Sequence, residues 1–288
     1  MSCAAFLGLA TIDLLYEVES VPRENEKGIA SRQEVLCGGP AANAAITCAF
    51  LGAPVRFIGA VGKHPLTSVI RSELQRFGVS LYDLSSQIEE SPPLSSVFVN
   101  ARTASRTIMS GHATRHQILT AGLDPSFLSD AELLLVDGHQ MALAITTAEQ
   151  ARAKGIPVVL DGGSWKERTD ELLVHTQIAI CSEDFHPPGT STSHEAIHYL
   201  LEHGVAAAVT RGAQPILWAE GSRRGEIPVP VCNAVDTTGA GDILHGAFCR
   251  RHLGGAGFVE SLTFAASVAS YSCRFFGTRA WMESWSDH

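Results

Sequence analysis

The sequence predicts an α/β fold in which a mostly parallel β-sheet has helices on both faces. The first observation is a series of short apolar runs that end in Gly, Asp or Ser, as strands buried on both faces do; they are AAFLGLA, VRFIGAVG, AELLLVDG, IPVVLDGG, TQIAICSE and VAAAVTRG. The second is a set of helical patterns between these runs, several of which end on glycine, such as LTSVIRSELQRFG and TSHEAIHYLLEHG. Alternation of this kind builds a sheet whose ligands gather at the carboxyl ends of its strands.

The length and charge of the chain narrow the classes of function. Its 288 residues fit one large α/β domain or two small ones, and no internal repeat or low-complexity linker divides them. Hydrophobic residues make up 45% of the chain and charged residues 18%, which indicates a globular protein with a sizeable core. The net charge is −9 without a basic run, so we expect no nucleic-acid partner.

The cysteines and the first residues indicate a cytoplasmic protein. None of the seven cysteines is spaced as CxxC, so neither a zinc site nor a disulfide framework is indicated. A reducing compartment is the simplest setting for them. The opening MSCAAFLGLATID has no basic segment and its apolar run stops at Asp13, so it is typical of a first strand and not of a signal peptide. No apolar segment is long enough for a membrane span, and we expect no membrane partner.

Two polar, alternating segments interrupt the pattern of buried strands. They cover 16–39 and 95–112, and their alternation is typical of half-exposed antiparallel strands. One interpretation is a small β lid beside the main sheet, formed by two separate pieces of chain at roughly 14–38 and 95–112. The other is a pair of ordinary edge hairpins, and the pattern fits both equally well.

The segment DTTGAGD, from Asp236 to Asp242, carries the chemistry most clearly. It is a turn that opens a helix, where Gly239, Ala240 and Gly241 leave backbone N–H groups uncovered and the helix dipole adds positive charge. Such a turn binds phosphate oxygens, and Asp242 beside it can accept a proton from an attacking hydroxyl. The alternative is a helix merely capped by Thr238 or Asp242. The two acids and two hydroxyls around the glycines favour phosphoryl transfer, and no Walker-type loop is present.

DTTGAGD resembles the C-terminal signature of the ribokinase-like (PfkB) carbohydrate kinases. CGGPAANAA (37–45), FIGAVG (57–62) and VTRGAQP (209–215) resemble other elements of that family in the same order. The resemblance covers essentially the whole chain and implies one kinase domain over 1–288. The implied fold is the ribokinase-like three-layer α/β/α arrangement with a mostly parallel sheet and a small β-strand lid. GGPAANAA and VVLDGG look most like the ketohexokinase and sulfofructose-kinase branch.

The resemblance implies a phosphotransferase with an alcohol group as acceptor, here an ATP-dependent sugar kinase. Asp242 would be the general base that deprotonates a primary hydroxyl of the sugar. The backbone N–H groups of Gly239, Ala240 and Gly241 would form the anion hole for the transferred γ-phosphoryl group. Asp236 and Thr238 would lie where many members of the family hold a monovalent cation such as K⁺.

On the sugar side, the resemblance implies contacts from the segment after the first strand and from the start of the first helix. Asp13 would bond sugar hydroxyls, Asn43 another hydroxyl, and Gly38 and Gly39 would let the backbone approach the sugar. Three further polar positions follow predicted strands or lie in the lid, where contact with substrate and a structural or solvated role are both open: Arg106, Asp137 with His139, and Asp161.

On the nucleotide side, Thr210, Arg211 and Gly212 match the phosphate-contacting turn of the family. Cys273, Gly277 and Arg279 lie in the last loop, which the resemblance places over the adenine. The family's N-x-x-E motif is broken, since Ser182 stands in the Asn position and Phe185 in the second Glu position. Mg²⁺ would then depend on Glu183 through water, or on water and phosphates alone.

One more departure from the family pattern concerns the sugar, and two rival functions also fit the sequence. His64 and Pro65 stand where the family usually has Asp and Gly, which leaves the identity of the sugar open. A nucleoside or phosphosugar kinase on the same fold is one rival, because lid arginines such as Arg32 and Arg106 could meet a phosphate. A ligand-binding homologue that kept the fold without the chemistry is the other. Exposed lid strands often pair across a two-fold axis, so we expect a homodimer through the lid.

Overall fold

A nine-stranded sheet forms the centre of the molecule in the computed structural model, which describes residues 3–111, 118 and 125–286. The predicted lid boundary at residue 112 lies outside these described residues. In spatial order the strands of this main sheet are β13 (Arg223–Ile227), β12 (Gln214–Glu220), β11 (Ala206–Arg211), β10 (Ile178–Ser182), β9 (Val158–Gly162), β8 (Ala131–Val136), β1 (Cys3–Leu7), β4 (Val55–Gly59) and β5 (Ser80–Asp83).

The seven strands from β11 to β5 run parallel, and antiparallel pairing occurs only at one edge, where β12 runs opposite to both β11 and β13. Every residue of β1, β9 and most of β10 is buried, which is why these strands are continuous apolar runs in the sequence. The predicted α/β fold class is therefore confirmed.

Helices cover both faces of the main sheet. They are α1 (Pro40–Phe50), α2 (Thr67–Arg76), α3 (Met141–Ala153), α4 (Thr169–Leu173), α5 (Ser193–Glu202), α6 (Ala240–Leu253) and α7 (Phe258–Ser272), with 3₁₀ turns at Pro125–Leu128 and Ala280–Glu283. Alternate residues of β1 point to opposite sides, so Phe6 packs in a core with α1, α6 and α7, while Leu7 packs in a second core with α3 and α5. Among the described residues, no helix has the length and apolar content that crossing a bilayer requires.

The two helices that carry the site, α1 and α6, contact each other closely. A Cβ atom on Gly246 would overlap with Ala44 O, and it would lie 2.7 Å from Thr47 Cβ. The missing side chain of Gly246 is therefore what lets α6 approach α1. This contact brings the first turns of the two helices side by side.

A second sheet of four strands lies beside the main one, in the order β3-β2-β6-β7. These strands are β2 (Thr11–Val18), β3 (Arg32–Gly38), β6 (Leu94–Asn100) and β7 (Arg106–Ser110). Each hairpin, β2–β3 and β6–β7, is antiparallel, and a parallel pairing of β2 with β6 joins the two. The polar segments thus form one separate sheet, here called the lid, and not two hairpins on the edge of the main sheet.

The lid has an inner face and an outer face, because residues that pair across neighbouring strands share a face. On the inner face Leu15, Val97 and Val99 pack against Phe276. This contact joins the lid to the loop after α7, near the candidate site. The outer face carries these residues: Leu14, Tyr16, Val35, Phe98 and Met109. Tyr16 stacks on Phe98 there with ring centroids 5.6 Å apart.

Candidate active site

The turn at Asp236–Asp242 opens α6 at the carboxyl edge of the main sheet. Gly239 has a left-handed backbone with φ 69°, and a Cβ there would lie only 2.7 Å from Thr278 Cγ2. The first hydrogen bond of the helix is made by Ile243 N to Gly239 O, at 2.9 Å. The N–H groups of Gly241 and Asp242 precede that bond, so they have no helical partner and can face an anion. The N–H of Ala240, predicted to face the anion as well, donates instead to Thr237 O at 3.3 Å.

Asp242 is half-buried in the first turn of α6. Burial raises the pKa of its carboxyl to about 7, with a further rise from the nearby Asp161 charge and an opposing effect of the hydrogen bond from Asn43. A carboxyl group with a pKa near neutrality can both take up and release a proton under ordinary conditions, which is what a general base must do.

A chain of three buried side chains holds Asp242 from one side. Asn43 Nδ2 donates to Asp242 Oδ2 at 2.8 Å, and Asn43 Oδ1 accepts from Arg279 Nη2 at 2.9 Å. Arg279 Nε in turn donates to Glu73 Oε1 at 2.7 Å. We call these residues the Glu73–Arg279–Asn43 chain. It connects α2, the loop after α7 and α1 to the candidate base.

The contacts of Asn43 and Arg279 differ from those that a sugar or nucleotide role implies. Asn43 is 3% exposed, and both atoms of its amide are bonded to protein groups. The guanidinium of Arg279 also donates to Cys37 O and to Thr278, at 2.8 Å each. A nucleotide contact by Arg279 would require it to release these bonds, so the structure associates both residues with the base.

Asp13 lies on the inner face of the lid, where its Oδ1 accepts from Thr11 Oγ1 at 2.7 Å. Burial raises the pKa of its carboxyl, and hydrogen bonds from Thr11 and Ser95 act in the opposite direction. A Cβ on Gly38 would overlap with this carboxylate, and a Cβ on Gly39, at φ 94°, would overlap with Leu9 O. Both glycines are therefore needed for close approach of protein groups, whatever they add toward a sugar.

Asp137 has the structural role that the sequence analysis left open beside contact with substrate. Its carboxylate is buried and accepts from Leu9 N at 2.8 Å, His139 N at 2.9 Å and Ala41 N at 3.3 Å. A Cβ on Gly8 would overlap with the same carboxylate. Asp137 therefore ties the loop after β1 to the start of α1, and the structure uses it for the backbone of the sugar side instead of leaving it open to substrate.

Arg106 joins the lid to the turn at Asp236–Asp242. Its Nη1 donates to Thr237 Oγ1 at 2.9 Å and to Thr237 O at 3.1 Å. The Arg106 side chain is exposed, so these bonds exchange readily with water. The predicted lid arginine thus lies at the site, and in this structure it contacts the protein turn.

Asp236 orders the turn on its nucleotide side. Its buried carboxylate accepts from Thr238 N at 2.8 Å and from Gly277 N at 2.9 Å. Cys273 O accepts from Val235 N at 2.8 Å, which joins the same two loops again. The hydroxyl oxygen of Thr238 is buried without a hydrogen-bond partner among the described residues, and such an oxygen suits a monovalent cation.

The strand ends predicted to contact the nucleotide are polar, and Ser182, Thr210 and Arg211 there are half-buried. Ser182 Oγ donates to Gly163 O at 2.7 Å, and Thr210 Oγ1 donates to Cys181 O at 3.3 Å. The Arg211 guanidinium donates to Pro215 O at 2.6 and 3.0 Å, and Gly212 has φ 59° in the tight turn that follows. These contacts shape the turn and leave its nucleotide role as a prediction.

The residues present fit Mg²⁺ only in a water-mediated form. Glu183 is exposed at the end of β10, where a carboxylate can bond metal-bound water. Phe185, in the position of the family's second Glu, is buried and packs against Trp165 with ring centroids 5.4 Å apart. The position of the family's second Glu is therefore occupied by a residue of the apolar core.

Three further residues at the site gave little or no sequence signal. His245 is buried one turn after Asp242, a spacing that could have marked it. Glu73 is brought to the site only by the fold. Lys166 is half-buried at the ends of β8 and β9, with its Nζ 3.4 Å from Asp137 O.

Comparisons with known proteins agree on one family. A family model described as pfkB family carbohydrate kinase matches residues 1–285. The chain is 28% identical to ribokinase of Arabidopsis thaliana over 290 residues, covering 92% of this chain and 74% of that protein. It is 25% identical to deoxyribokinase of Salmonella typhi (96% and 94% covered) and 22% identical to ketohexokinase of Mus musculus (94% and 96% covered).

Solved structures show the same fold. Ribokinase from Thermotoga maritima superposes with a TM-score of 0.80 at 21% identity, with 99% of each chain covered. Arabidopsis thaliana ribokinase complexed with ribose and ATP superposes with a TM-score of 0.78 at 25% identity, with 96% of this chain and 94% of that one covered. The chain is more similar in sequence to the Arabidopsis thaliana ribokinase than to the Mus musculus ketohexokinase, and the predicted ketohexokinase branch is only a side comparison.

Proposed function

This chain belongs to the pfkB family of carbohydrate kinases, and on that premise we propose that it transfers the γ-phosphoryl group of ATP to a primary hydroxyl of a small free sugar. The observation that carries the proposal is the position of Asp242. The carboxyl group of Asp242 has a pKa raised to about 7. It lies in the first turn of α6, beside N–H groups that can face an anion.

In the proposed reaction the sugar hydroxyl oxygen attacks the γ-phosphorus, and the bond from that phosphorus to the β,γ-bridging oxygen breaks. ADP leaves, and the hydroxyl proton passes to Asp242. Since Asn43 already holds Oδ2, Oδ1 is the oxygen that receives the proton. The N–H groups at the start of α6 stabilise the negative charge on the transferred group. Mg²⁺, held through water by Glu183, would offset the charge of the nucleotide phosphates.

The sugar lies against the inner face of the lid in this proposal. The Asp13 carboxylate accepts hydrogen bonds from two neighbouring hydroxyls, as a carboxylate can. The similar proteins include a ribokinase and a deoxyribokinase, and their names support a free sugar as the acceptor. A sugar of pentose or ketohexose size is therefore the first acceptor to test.

A kinase of phosphosugars is the second candidate, and one observation favours it. Lys166 is a half-buried cation, and the only hydrogen bond of its ammonium group among the described residues is to the backbone carbonyl of Asp137. Two lid arginines argue against a phosphosugar substrate, because both are engaged within the protein. Arg106 bonds Thr237, and Arg32 lies 3.4 Å from Glu17 and over the ring of Phe276. We therefore place the free sugar first.

We also propose that two copies of the chain pair through the outer lid face. Val35 is 52% exposed and Met109 74% exposed there, next to the half-exposed stack of Tyr16 on Phe98. Apolar side chains grouped on one sheet face commonly mark a contact between proteins. Closure of the lid would exclude water from the site, so that the γ-phosphoryl group of ATP passes to the sugar and not to water.

The test is ADP release with Mg²⁺-ATP and a panel of pentoses, ketoses, nucleosides and phosphosugars. We expect one free sugar to stimulate turnover and Asp242→Asn to lower kcat by about a thousandfold, since a positioned base contributes on this scale. Asp170→Asn, which removes an exposed acid on α4, is the matched control and should leave kcat unchanged.

Turnover that survives in Asp242→Asn would contradict the role of the base. ATP binding without turnover on any acceptor would favour a ligand-binding homologue. Turnover with a phosphosugar that Lys166→Met abolishes would favour the second candidate.

A further inference from the structure

A buried histidine lies behind the anion-binding turn, and no step of the proposed reaction uses it. His245 is on α6, is 5% exposed, and follows Asp242 by three residues. Its Nδ1 lies 2.8 Å from Gly241 O, and its Nε2 lies 3.0 Å from Ile180 O on β10. The ring therefore bridges the turn that opens α6 and a central strand of the main sheet.

Both neighbours of the ring are backbone carbonyl oxygens, which only accept hydrogen bonds. A neutral imidazole has one N–H, so it can satisfy only one of them. An imidazolium has two N–H groups and satisfies both. A ring that carries a proton on both nitrogens would therefore match both carbonyl neighbours, and it would place a positive charge behind the turn.

The counter-charge is also present. Asp161, at the end of β9, has its Oδ2 3.5 Å from His245 Nδ1. That oxygen is buried and has no hydrogen-bond partner in the part of the chain that the structure describes. An ionised carboxylate is costly to bury without a partner, and the imidazolium supplies the compensating charge.

We propose that His245 is a permanently protonated positioning residue, which fixes the anion-binding turn to β10 and shields the base Asp242 from the charge of Asp161. The inference rests on the proposed function, because it assigns Asp242 the role of base. It adds a group that does not touch substrate and that nevertheless decides the pH range in which the enzyme works.

The charges around the base support this electrostatic role. Asp242 faces Asp161 from β9 and Asp13 from the lid, which both raise its pKa, while His245 on its own helix and the hydrogen bond from Asn43 on α1 lower it. Asp161 itself has burial as the main cause of its raised pKa, and its charged neighbours are His245, Asp137, Lys166 and His139. Among the side chains that act on Asp242, His245 is thus the cation.

The signs of the expected shifts follow directly. Loss of the positive charge at His245 raises the pKa of Asp242, so the acid limb of the pH profile of kcat/KM moves to higher pH. Loss of the negative charge at Asp161 lowers the pKa of Asp242, so the same limb moves to lower pH. The two changes together should largely cancel, which a purely structural role of either residue would not produce.

The first measurement needs no activity. Imidazole ¹⁵N spectra of the full chain, with His245 assigned by comparison with His245→Gln, should show both ring nitrogens protonated from about pH 6 to about pH 8, although free histidine loses its charge in that range. A neutral ring with one protonated nitrogen would overturn the proposal, whether or not a sugar acceptor has been found.

The second measurement is the pH profile of kcat/KM for His245→Gln, Asp161→Asn and the double variant. We expect shifts of about one pH unit in opposite directions for the single variants, as for close charges in a partly buried site. His252→Gln, which changes a half-buried histidine two turns further along α6, is the control and should keep the wild-type profile. Shifts in the same direction, or none, would refute the electrostatic role.

These outcomes separate two failures. If turnover depends on Asp242 and the ring of His245 is neutral, the further inference fails and the proposed function stands. If His245→Gln does not fold, Asp161→Asn still shifts the acid limb to lower pH when the inference is right.

Discussion

Asp242 is positioned by residues that lie far from it in the sequence. Asn43, which bonds its carboxylate, is 199 residues away, and Arg279 bonds Asn43 across 236 residues. Asp242 could be proposed as the base from the sequence alone, because the glycines and acids around it form a local motif. The Glu73–Arg279–Asn43 chain was not, because an ion pair 206 residues long in sequence leaves no local pattern.

Arg279→Lys tests whether Arg279 serves the base or the nucleotide. Lysine keeps the charge but not the planar fork, so it cannot bond Glu73, Cys37 and Asn43 together. We expect kcat to fall about tenfold with KM for ATP unchanged, because Asn43 loses the partner that orients it. Steady-state kinetics at varied ATP decide the question. A raised KM for ATP with unchanged kcat would instead restore the predicted nucleotide contact, and Arg168→Lys, an exposed arginine on the surface, is the control.

At the scale of elements, the close contact between α1 and α6 that assembles the candidate site depends on Gly246. Gly246→Ala would normally stabilise a helix interior by about 1 kcal/mol. Here we expect it to lower the free energy of unfolding by about 2 kcal/mol, because the new Cβ meets the backbone of α1, which cannot move aside as a side chain would. Urea unfolding measures this loss.

Gly257→Ala serves as the control for that change. Gly257 is exposed before α7, has φ −67°, and a Cβ there would meet nothing within 4 Å. An unfolding free energy for Gly246→Ala equal to or above that of the wild type would show that α6 has room to shift from α1.

The elements also show how far the sequence could lead. The buried strands were predictable, because a strand covered on both faces must be apolar throughout. The lid was left between two interpretations, because what makes it one sheet is the parallel pairing of β2 with β6, more than eighty positions apart along the chain. Alternation specifies which face of a strand is buried, but not which strand it joins.

At the scale of the whole molecule, the outer lid face makes the proposed dimer testable. Val35→Glu with Met109→Glu places two charges on that face, and burying unpaired charges between two copies is unfavourable. We expect the double variant to sediment as a monomer in analytical ultracentrifugation, while the wild type sediments as a dimer. Val174→Glu, which changes a residue 57% exposed outside the lid, should remain dimeric. A wild type that sediments as a monomer at all concentrations would disprove the pairing.

The Glu73–Arg279–Asn43 chain has a consequence for biosynthesis. Chains emerge from the ribosome amino end first, and Cys37 must wait for a partner 242 residues later. A growing chain can therefore complete the parallel sheet and most of the lid while Asn43 and the turn around Asp242 still lack the guanidinium that orders them. Non-local contacts of this kind also form slowly. The ordered form of Asn43 and of the turn around Asp242 therefore requires that Arg279 has already been synthesised.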